Sequence, residues 1–259
     1  MDTQMTRTAI VGVLALACVA VAGEGPTEIM RRSEALHRLP FEHTKSRMVL
    51  QEKDGPARER VLETWLDDRP SGGRMRVRFG APADVAGTGV LSLENPGGSD
   101  EQWLYLPAFK KTRRLGDSDL GDRFVGTDFF YEDMKSRNVD DYSYTMLPAE
   151  KLDGADCWVI EGVPAGAKMI KESPYGKTIM WLRKDTLATV RVRFFDRKGQ
   201  PLKQLELQKL KAVSKTAWRA DETTMVDVRR KHRTNVVVLS RETTEIPDDQ
   251  FSRRALESE

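Results

Sequence analysis

Apolar and polar residues alternate with a period of two along most of the chain, and turn-forming residues interrupt the alternation at hairpin spacing. In RMRVRF, Met75, Val77 and Phe79 fall on one side and Arg74, Arg76 and Arg78 on the other. Successive side chains of an extended chain point to opposite faces, so this segment is predicted to be a strand with one buried and one solvated face. Lys53-Asp54-Gly55 divides HTKSRMVLQE from ARERVLETWL, the strongest short hairpin signal in the sequence. Pro70-Ser71-Gly72-Gly73, Asn95-Pro96-Gly97-Gly98 and Arg197-Lys198-Gly199-Gln200 mark further turns. Strands are expected at residues 87–93, in QWLYLP, DYSYTML, CWVIEGV, YGKTIMWLRK and LATVRVRFFD, and at residues 217–228 and 234–240. In LATVRVRFFD, Val190, Val192 and Phe194 are expected on one side, against Arg191 and Arg193. Residues 202–213 fit neither period, because Leu202, Leu205, Leu207 and Leu210 match helix and strand equally badly.

Ahead of the strands, residues 26–39 (PTEIMRRSEALHRL) place Ile29, Met30, Leu36 and Leu39 near one helical face with Pro26 in the first turn, the pattern of an amphipathic helix. At the other end, residues 246–256 read as a tail that docks through Phe251. Ten or eleven strands behind one helix, joined by short turns, predict a mainly β antiparallel meander, either closed or curled into a half barrel. Neither a fixed-period repeat nor a Pro/Ser-rich linker divides it, so residues 23–259 are expected to form one domain.

Residues 100–134 break the hairpin rhythm. They open with QWLYLP, which places Leu104 and Leu106 on one face and Trp103 and Tyr105 on the other, and continue through Lys110, Lys111, Arg113 and Arg114. After a Gly/Asp-rich loop come Phe124, Phe129, Phe130 and Tyr131, beside Asp128, Glu132 and Asp133. Loops rarely carry so many rings unless something apolar receives them. This aromatic cluster is therefore expected to act as a lid or plug over an apolar hollow. The basic run has two readings: an edge strand protected by charge against sheet-to-sheet pairing, or a docking rim for an acidic partner or a lipid headgroup.

Charge and cysteine content narrow the function classes. Arg7 precedes an apolar run over residues 9–21 that ends in Ala20-Val21-Ala22, the form of an export signal cleaved after Ala22. The run is shorter than the about 20 residues a membrane-spanning helix needs. A lipid anchor at Cys18 is the alternative, although Ala15-Leu16-Ala17 matches a lipobox poorly. Cleavage leaves Cys157 alone, so no intramolecular disulfide can form, and Cys157 is expected to be a small buried hydrophobe. With 42 basic and 40 acidic residues the net charge is +2, which argues against nucleic-acid binding.

The parts of an active site are missing. His37, His43 and His232 show no metal-ligand spacing, and no GxSxG elbow or Gly-rich phosphate loop occurs. The segment from Asp117 through Asp119, Gly121 and Asp122 to Asp128 displaces the glycine and the fifth ligand of an EF loop. Asp128, Glu132 and Asp133 lack a positioned partner for glycosidase work and fit a capping turn better. No enzymatic activity, metal or cofactor is expected.

DEQWLYLPAFKKTRR, FVGTDFFYEDM, Cys157-Trp158-Val159-Ile160-Glu161 and FFDRKGQPLK, in that order, resemble the outer-membrane lipoprotein-sorting protein family, a LolA-like group of exported bacterial proteins. The resemblance spans most of residues 23–259. It implies the fold of LolA, LolB and RseB: an unclosed β-barrel of about eleven strands, with the N-terminal helix and a helical or loop lid covering the concave apolar face. It further implies a periplasmic carrier of a lipid or of lipoprotein acyl chains, working with an RND-type inner-membrane exporter and touching membranes only peripherally or transiently. An RseB-like sensor or adaptor that binds a protein partner is the alternative. On the carrier reading the hollow and lid would be lined by Trp65, Leu91, Leu93, Leu104, Leu106, Phe129, Phe130, Met134, Trp158, Ile160, Met180 and Leu182. Lys110, Lys111, Arg113 and Arg114 would form the partner or headgroup rim.

Overall fold

The computed structural model describes residues 23–69, 72–96 and 100–258. The predicted export segment with Cys18, and the turn residues Pro70, Ser71, Gly97 and Gly98, lie outside the described residues. Helix α1 (Pro26–His37) starts on Pro26, whose fixed φ and missing N–H suit the first helical position. Six strands follow: β1 (Phe41–Gln51), β2 (Arg58–Asp67), β3 (Arg74–Ala81), β4 (Gly89–Leu93), β5 (Glu101–Leu106) and β6 (Lys111–Arg114). Residues 115–141 then form a connector of single 3₁₀ turns. Seven more strands complete the chain: β7 (Tyr142–Leu152), β8 (Ala155–Pro164), β9 (Tyr175–Arg183), β10 (Thr189–Asp196), β11 (Pro201–Ala212), β12 (Trp218–Asp227) and β13 (His232–Glu242). The short helix α2 (Ala167–Glu172) joins β8 to β9, and α3 (Arg253–Glu257) ends the tail.

All thirteen strands belong to one antiparallel sheet in the order β6-β5-β4-β3-β2-β1-β13-β12-β11-β10-β9-β8-β7. Two meanders, β1 to β6 and β7 to β13, are joined where β1 pairs with β13. β6 and β7 are the two edges and do not pair, so the curved sheet is an unclosed barrel. The connector runs from one edge to the other.

The predicted alternation sets the two faces. On the inner face, the first meander buries Met48, Leu50, Leu62, Val77, Phe79, Val90 and Leu104 around Phe124 and Tyr131 of the connector. The second meander buries Ile160, Met180, Leu182, Val192, Phe194 and Met225 with Ile29 and Met30 of α1 and with Phe130. Each such fully buried apolar side chain contributes about 1.5–3 kcal/mol. On the outer face, Ile246, Phe251 and Leu256 of the tail cover Leu91, Trp65, Leu93, Trp103 and Tyr105, so the tail docks as its sequence suggested and Phe251 is one of three anchors. Cys157 is fully buried in a second outer cluster with Val159 and Trp181.

Lys111, Arg113 and Arg114 of the basic run lie in β6, an edge strand as one of its two readings had it, and this strand brings the sheet to thirteen. Two local features depart from the sequence reading. Val190 packs in the outer cluster with Trp181, whereas Val192 and Phe194 face inward. A bulge between Thr189 and Arg191 inserts one residue there, and a one-residue slip moves a side chain to the opposite face. Residues 202–212 lie in β11, whose pairing shifts at its start, where Phe195 opposes Pro201, and whose Lys209 takes a left-handed φ of 53°. Two irregularities in one strand erase the period.

Candidate functional site

The connector is fixed to the inner face by side chains that reach down into the sheet. Asp128 is buried, and its Oδ2 accepts hydrogen bonds from Thr234 Oγ1 at 2.7 Å and from His232 Nδ1 at 2.6 Å. The Asp128 backbone N–H donates to Thr234 Oγ1 at 3.0 Å. Asp133 caps the turn Tyr131–Met134 by accepting from the Phe130 N–H at 2.7 Å. The same carboxylate accepts from Tyr175 Oη at 2.7 Å and from Lys203 Nζ at 2.5 Å. Lys203 is itself buried, its ammonium 3.8 Å from the centre of the Phe130 ring. Burial pushes the Lys203 ammonium below the usual lysine range, and the Asp133 carboxylate acts in the opposite direction. Arg123 pairs with buried Asp227, and Arg60 of β2 donates to the Val125 carbonyl at 2.7 Å. Asp128 and His232 are sealed from solvent and form a structural staple.

The rings of the connector divide between the two inner clusters. Phe124 stacks on Phe79 with centroids 5.2 Å apart, and Phe130 lies parallel to Tyr175 at 5.9 Å. Phe129 packs against both clusters. The aromatic cluster is therefore a fixed plug that fills part of the hollow.

What it leaves open is a cavity of about 520 Å³. Phe129 and Met134 of the connector, Met169 of α2 and the strand residues Tyr175, Phe194, Leu205 and Met225 give it an apolar wall. Its mouth carries Asp100, Glu132, Lys135, Arg137, Asp141, Lys168 and Glu172. A second, more polar cavity of about 460 Å³ shares Asp100, Lys135, Lys168 and Glu172 with the first and extends to Arg114 and Asp117. At the mouth, burial pushes the Glu132 carboxyl above the usual range and the Tyr142 hydroxyl up to about 12. Arg137 lies over the Tyr142 ring at 3.9 Å and donates to Thr178 Oγ1 at 3.1 Å; no carboxylate among the described residues forms an ion pair with it. Among the described residues, no group of three His, Cys, Asp or Glu side chains could hold a metal.

The structure distributes the sequence-predicted lining residues over three places. Phe129 and Met134 line the cavity itself. Phe130, Trp158, Ile160, Met180 and Leu182 belong to the inner cluster of the second meander, and Leu104 and Leu106 to that of the first. Trp65, Leu91 and Leu93 are on the outer face, beneath the C-terminal tail, and do not reach the hollow. In β4 the inward residues are Val90 and Ser92; Gly89, Leu91 and Leu93 are on the side of Leu256, and a Cβ at Gly89 would sit 2.9 Å from its Cδ1. The cavity residues that sequence reading missed are Tyr175, Phe194, Leu205, Met225 and those of α2. Of these only Phe194 was visible, on the face it shares with Val192; residues 202–213 offered no period to place Leu205, and the α2 segment lacks any strong period. Lys110, Lys111, Arg113 and Arg114 are exposed on and beside β6. Arg113 pairs with Asp119 at 3.1 Å and Arg114 with Glu101 at 3.7 Å.

A family model described as "Uncharacterized protein" matches residues 72–258. Among solved structures, the chain is similar to a protein from Vibrio parahaemolyticus described as an outer membrane lipoprotein-sorting protein domain, with a TM-score of 0.83 and 28% identity over 90% of this chain and 98% of that one. A DUF1329 family protein from Desulfovibrio piger matches with a TM-score of 0.82 and 25% identity, covering 89% of this chain and 97% of its own. A LolA superfamily protein from Nitrosomonas europaea shares the fold at a TM-score of 0.70 and 15% identity, over 90% of this chain and 99% of that chain. No curated protein matches. The open thirteen-stranded sheet, the plug between its edges and these matches agree: the chain belongs to the family whose model spans residues 72–258, and it carries the LolA-like fold of outer-membrane lipoprotein-sorting proteins.

Proposed function

We propose that this protein is a periplasmic carrier that takes a lipid, or the acyl chains of a lipoprotein, into the hollow beneath the connector and passes it between membranes. The observation that carries this reading is the cavity of about 520 Å³, apolar along its wall and charged at its mouth. Its size falls within the about 300–1,000 Å³ usual for small-molecule sites, and its polarity gradient fits an amphiphile entering chain first. Each methylene moved from water into the hollow gains about 0.8 kcal/mol, so roughly ten of them contribute on the order of 8 kcal/mol before the costs of association. Binding of this kind needs no reacting group. An RND-type inner-membrane exporter is the donor that this reading expects.

Leu205→Trp tests the proposal. Leu205 is partly exposed on the cavity wall, so the larger ring fills the hollow and leaves the buried clusters in place. Protein exported to the periplasm is expected to carry acyl species in native mass spectra, and Leu205→Trp to lower that load at least tenfold with an unchanged thermal midpoint. A wild-type protein without acyl species, or equal loading of the two, overturns the proposal.

A further inference from the structure

Antiparallel pairing brings the turns between strands alternately to two rims of the sheet, and the rims differ in charge. One rim holds the β1–β2, β3–β4, β5–β6, β10–β11 and β12–β13 turns and the α2 connection. Lys110, Lys111, Lys168, Lys171, Arg230 and Lys231 lie there, exposed and without an ion pair among the described residues. The acidic groups of these turns are Glu52, Asp54, Asp84 and Glu172, and Glu52 is matched by Arg58. The opposite rim carries Glu94, Asp153, Asp185, Asp248 and Asp249 against Arg38, Arg69, Lys184 and Lys215, while Asp100 of its β4–β5 turn meets Lys168 and Glu172 of α2 at the cavity mouth.

Of the five large apolar side chains exposed among the described residues, three lie at tips of the basic rim, and the other two, Val163 and Leu239, lie within β8 and β13. Phe109, 69% exposed, precedes Lys110 and Lys111 at the β5–β6 tip. Ile170, 61% exposed, stands between Lys168 and Lys171 on α2, and Val228, 42% exposed, precedes Arg230 and Lys231 in the β12–β13 turn. Three separate tips thus repeat one motif, a protruding apolar group flanked by unpaired cations.

We propose that this basic rim docks on the surface of an anionic lipid bilayer. A protein partner rewards a contiguous apolar patch packed at its centre. Single apolar protrusions separated by cations instead suit a fluid surface, where each side chain enters between headgroups on its own and anionic lipids gather around the lysines. Among the described residues no helix is long and apolar enough to cross a membrane. Lys168 of α2 also stands at the mouth of the hollow, whereas Phe109, Lys110, Lys111, Val228, Arg230 and Lys231 line no part of it, so the variants of the β5–β6 tip report docking alone.

Co-sedimentation of the mature chain with vesicles tests the proposal. Binding is expected to vesicles containing phosphatidylglycerol and not to pure phosphatidylcholine, and to fall as salt is raised. Each cation near an anionic surface is worth about fivefold in binding, so Lys110→Gln with Lys111→Gln should weaken it about 25-fold, and Lys110→Arg with Lys111→Arg should retain it. Phe109→Ala should weaken it about tenfold. Asp153→Asn on the opposite rim and Leu205→Trp in the hollow should leave it unchanged, which separates docking from cargo uptake. These positions are exposed or only partly buried, and equal thermal midpoints verify the fold. No binding at low salt, equal binding to neutral vesicles, or indifference to the Lys110, Lys111 and Phe109 variants overturns the proposal; an acidic protein surface would then be the occupant to seek.

Discussion

Glu132 is a carboxyl whose folded environment opposes its charge. Burial at the mouth of the hollow raises it above the usual range, and Asp133 adds to the effect, while Lys135 and Ser173 act against it. Below the ordinary carboxyl pKa the group is protonated whether the chain is folded or not, and it does not affect stability. As pH rises through that value the unfolded chain releases its proton while the folded protein still holds it, so stability falls until the folded pKa is passed. Glu132→Gln is therefore expected to raise the urea midpoint at neutral pH, with the gain shrinking to nothing as pH drops below the ordinary carboxyl range. A gain independent of pH would assign the effect to packing. Nothing in the sequence marked Glu132 for this, since its acidic neighbours fitted a solvated cap equally well. Arg76 illustrates the same gap: alternation placed it correctly opposite Val77, but on the outer face it lies under the tail, 3.8 Å over the Trp65 ring and bonded to the Ala255 carbonyl. Burial lowers its pKa to about 10. Period two tells which face a residue takes; what covers that face depends on segments far away in sequence.

At the scale of elements, the connector decides whether the inner face is a packed core or a hollow. Its aromatic residues announced themselves in sequence because rings in a Gly/Asp-rich loop need an apolar receiver. Their fixed attachment did not, because Lys203, Tyr175 and Thr234 sit among ordinary strand residues. One of these attachments is the buried pair of Lys203 and Asp133, only 1% and 12% exposed. Removing one member of a buried pair strands the other charge, at about 3–5 kcal/mol, whereas replacing both by apolar groups is often neutral. Lys203→Met should thus destabilise the protein by about 3–5 kcal/mol, and Lys203→Met with Asp133→Leu should recover part of that loss. Recovery is expected to be incomplete, because the Phe130 N–H and Tyr175 hydroxyl also rely on Asp133. A double variant no more stable than Lys203→Met alone would show that the cap and the tyrosine bond, and not the charge pair, hold the plug.

The whole molecule is two meanders, each with its own inner cluster, joined along β1 and β13 and again through the connector. This division was legible in part: a hairpin rhythm runs on both sides of residues 100–134, and that long interruption lies where the chain crosses from one sheet edge to the other. The pairing of β1 with β13 was not legible, since partners so distant in sequence leave no local pattern. Cooperativity between the halves depends on side chains common to both clusters, and in the connector Phe129 is the ring that packs against each. It is only partly buried and also lines the cavity, so truncating it enlarges the hollow as it removes the bridge. Phe129→Ala should cost about 2–3 kcal/mol, less than a fully buried phenylalanine. Its more telling effect is on the shape of unfolding. If the connector couples the clusters, the variant's urea transition broadens, its apparent m value falls, and the calorimetric enthalpy exceeds the van't Hoff enthalpy, as two units begin to melt apart. If β1–β13 pairing alone couples them, the midpoint moves while the transition stays sharp, and the plug is then a passenger on a sheet that is already one cooperative unit.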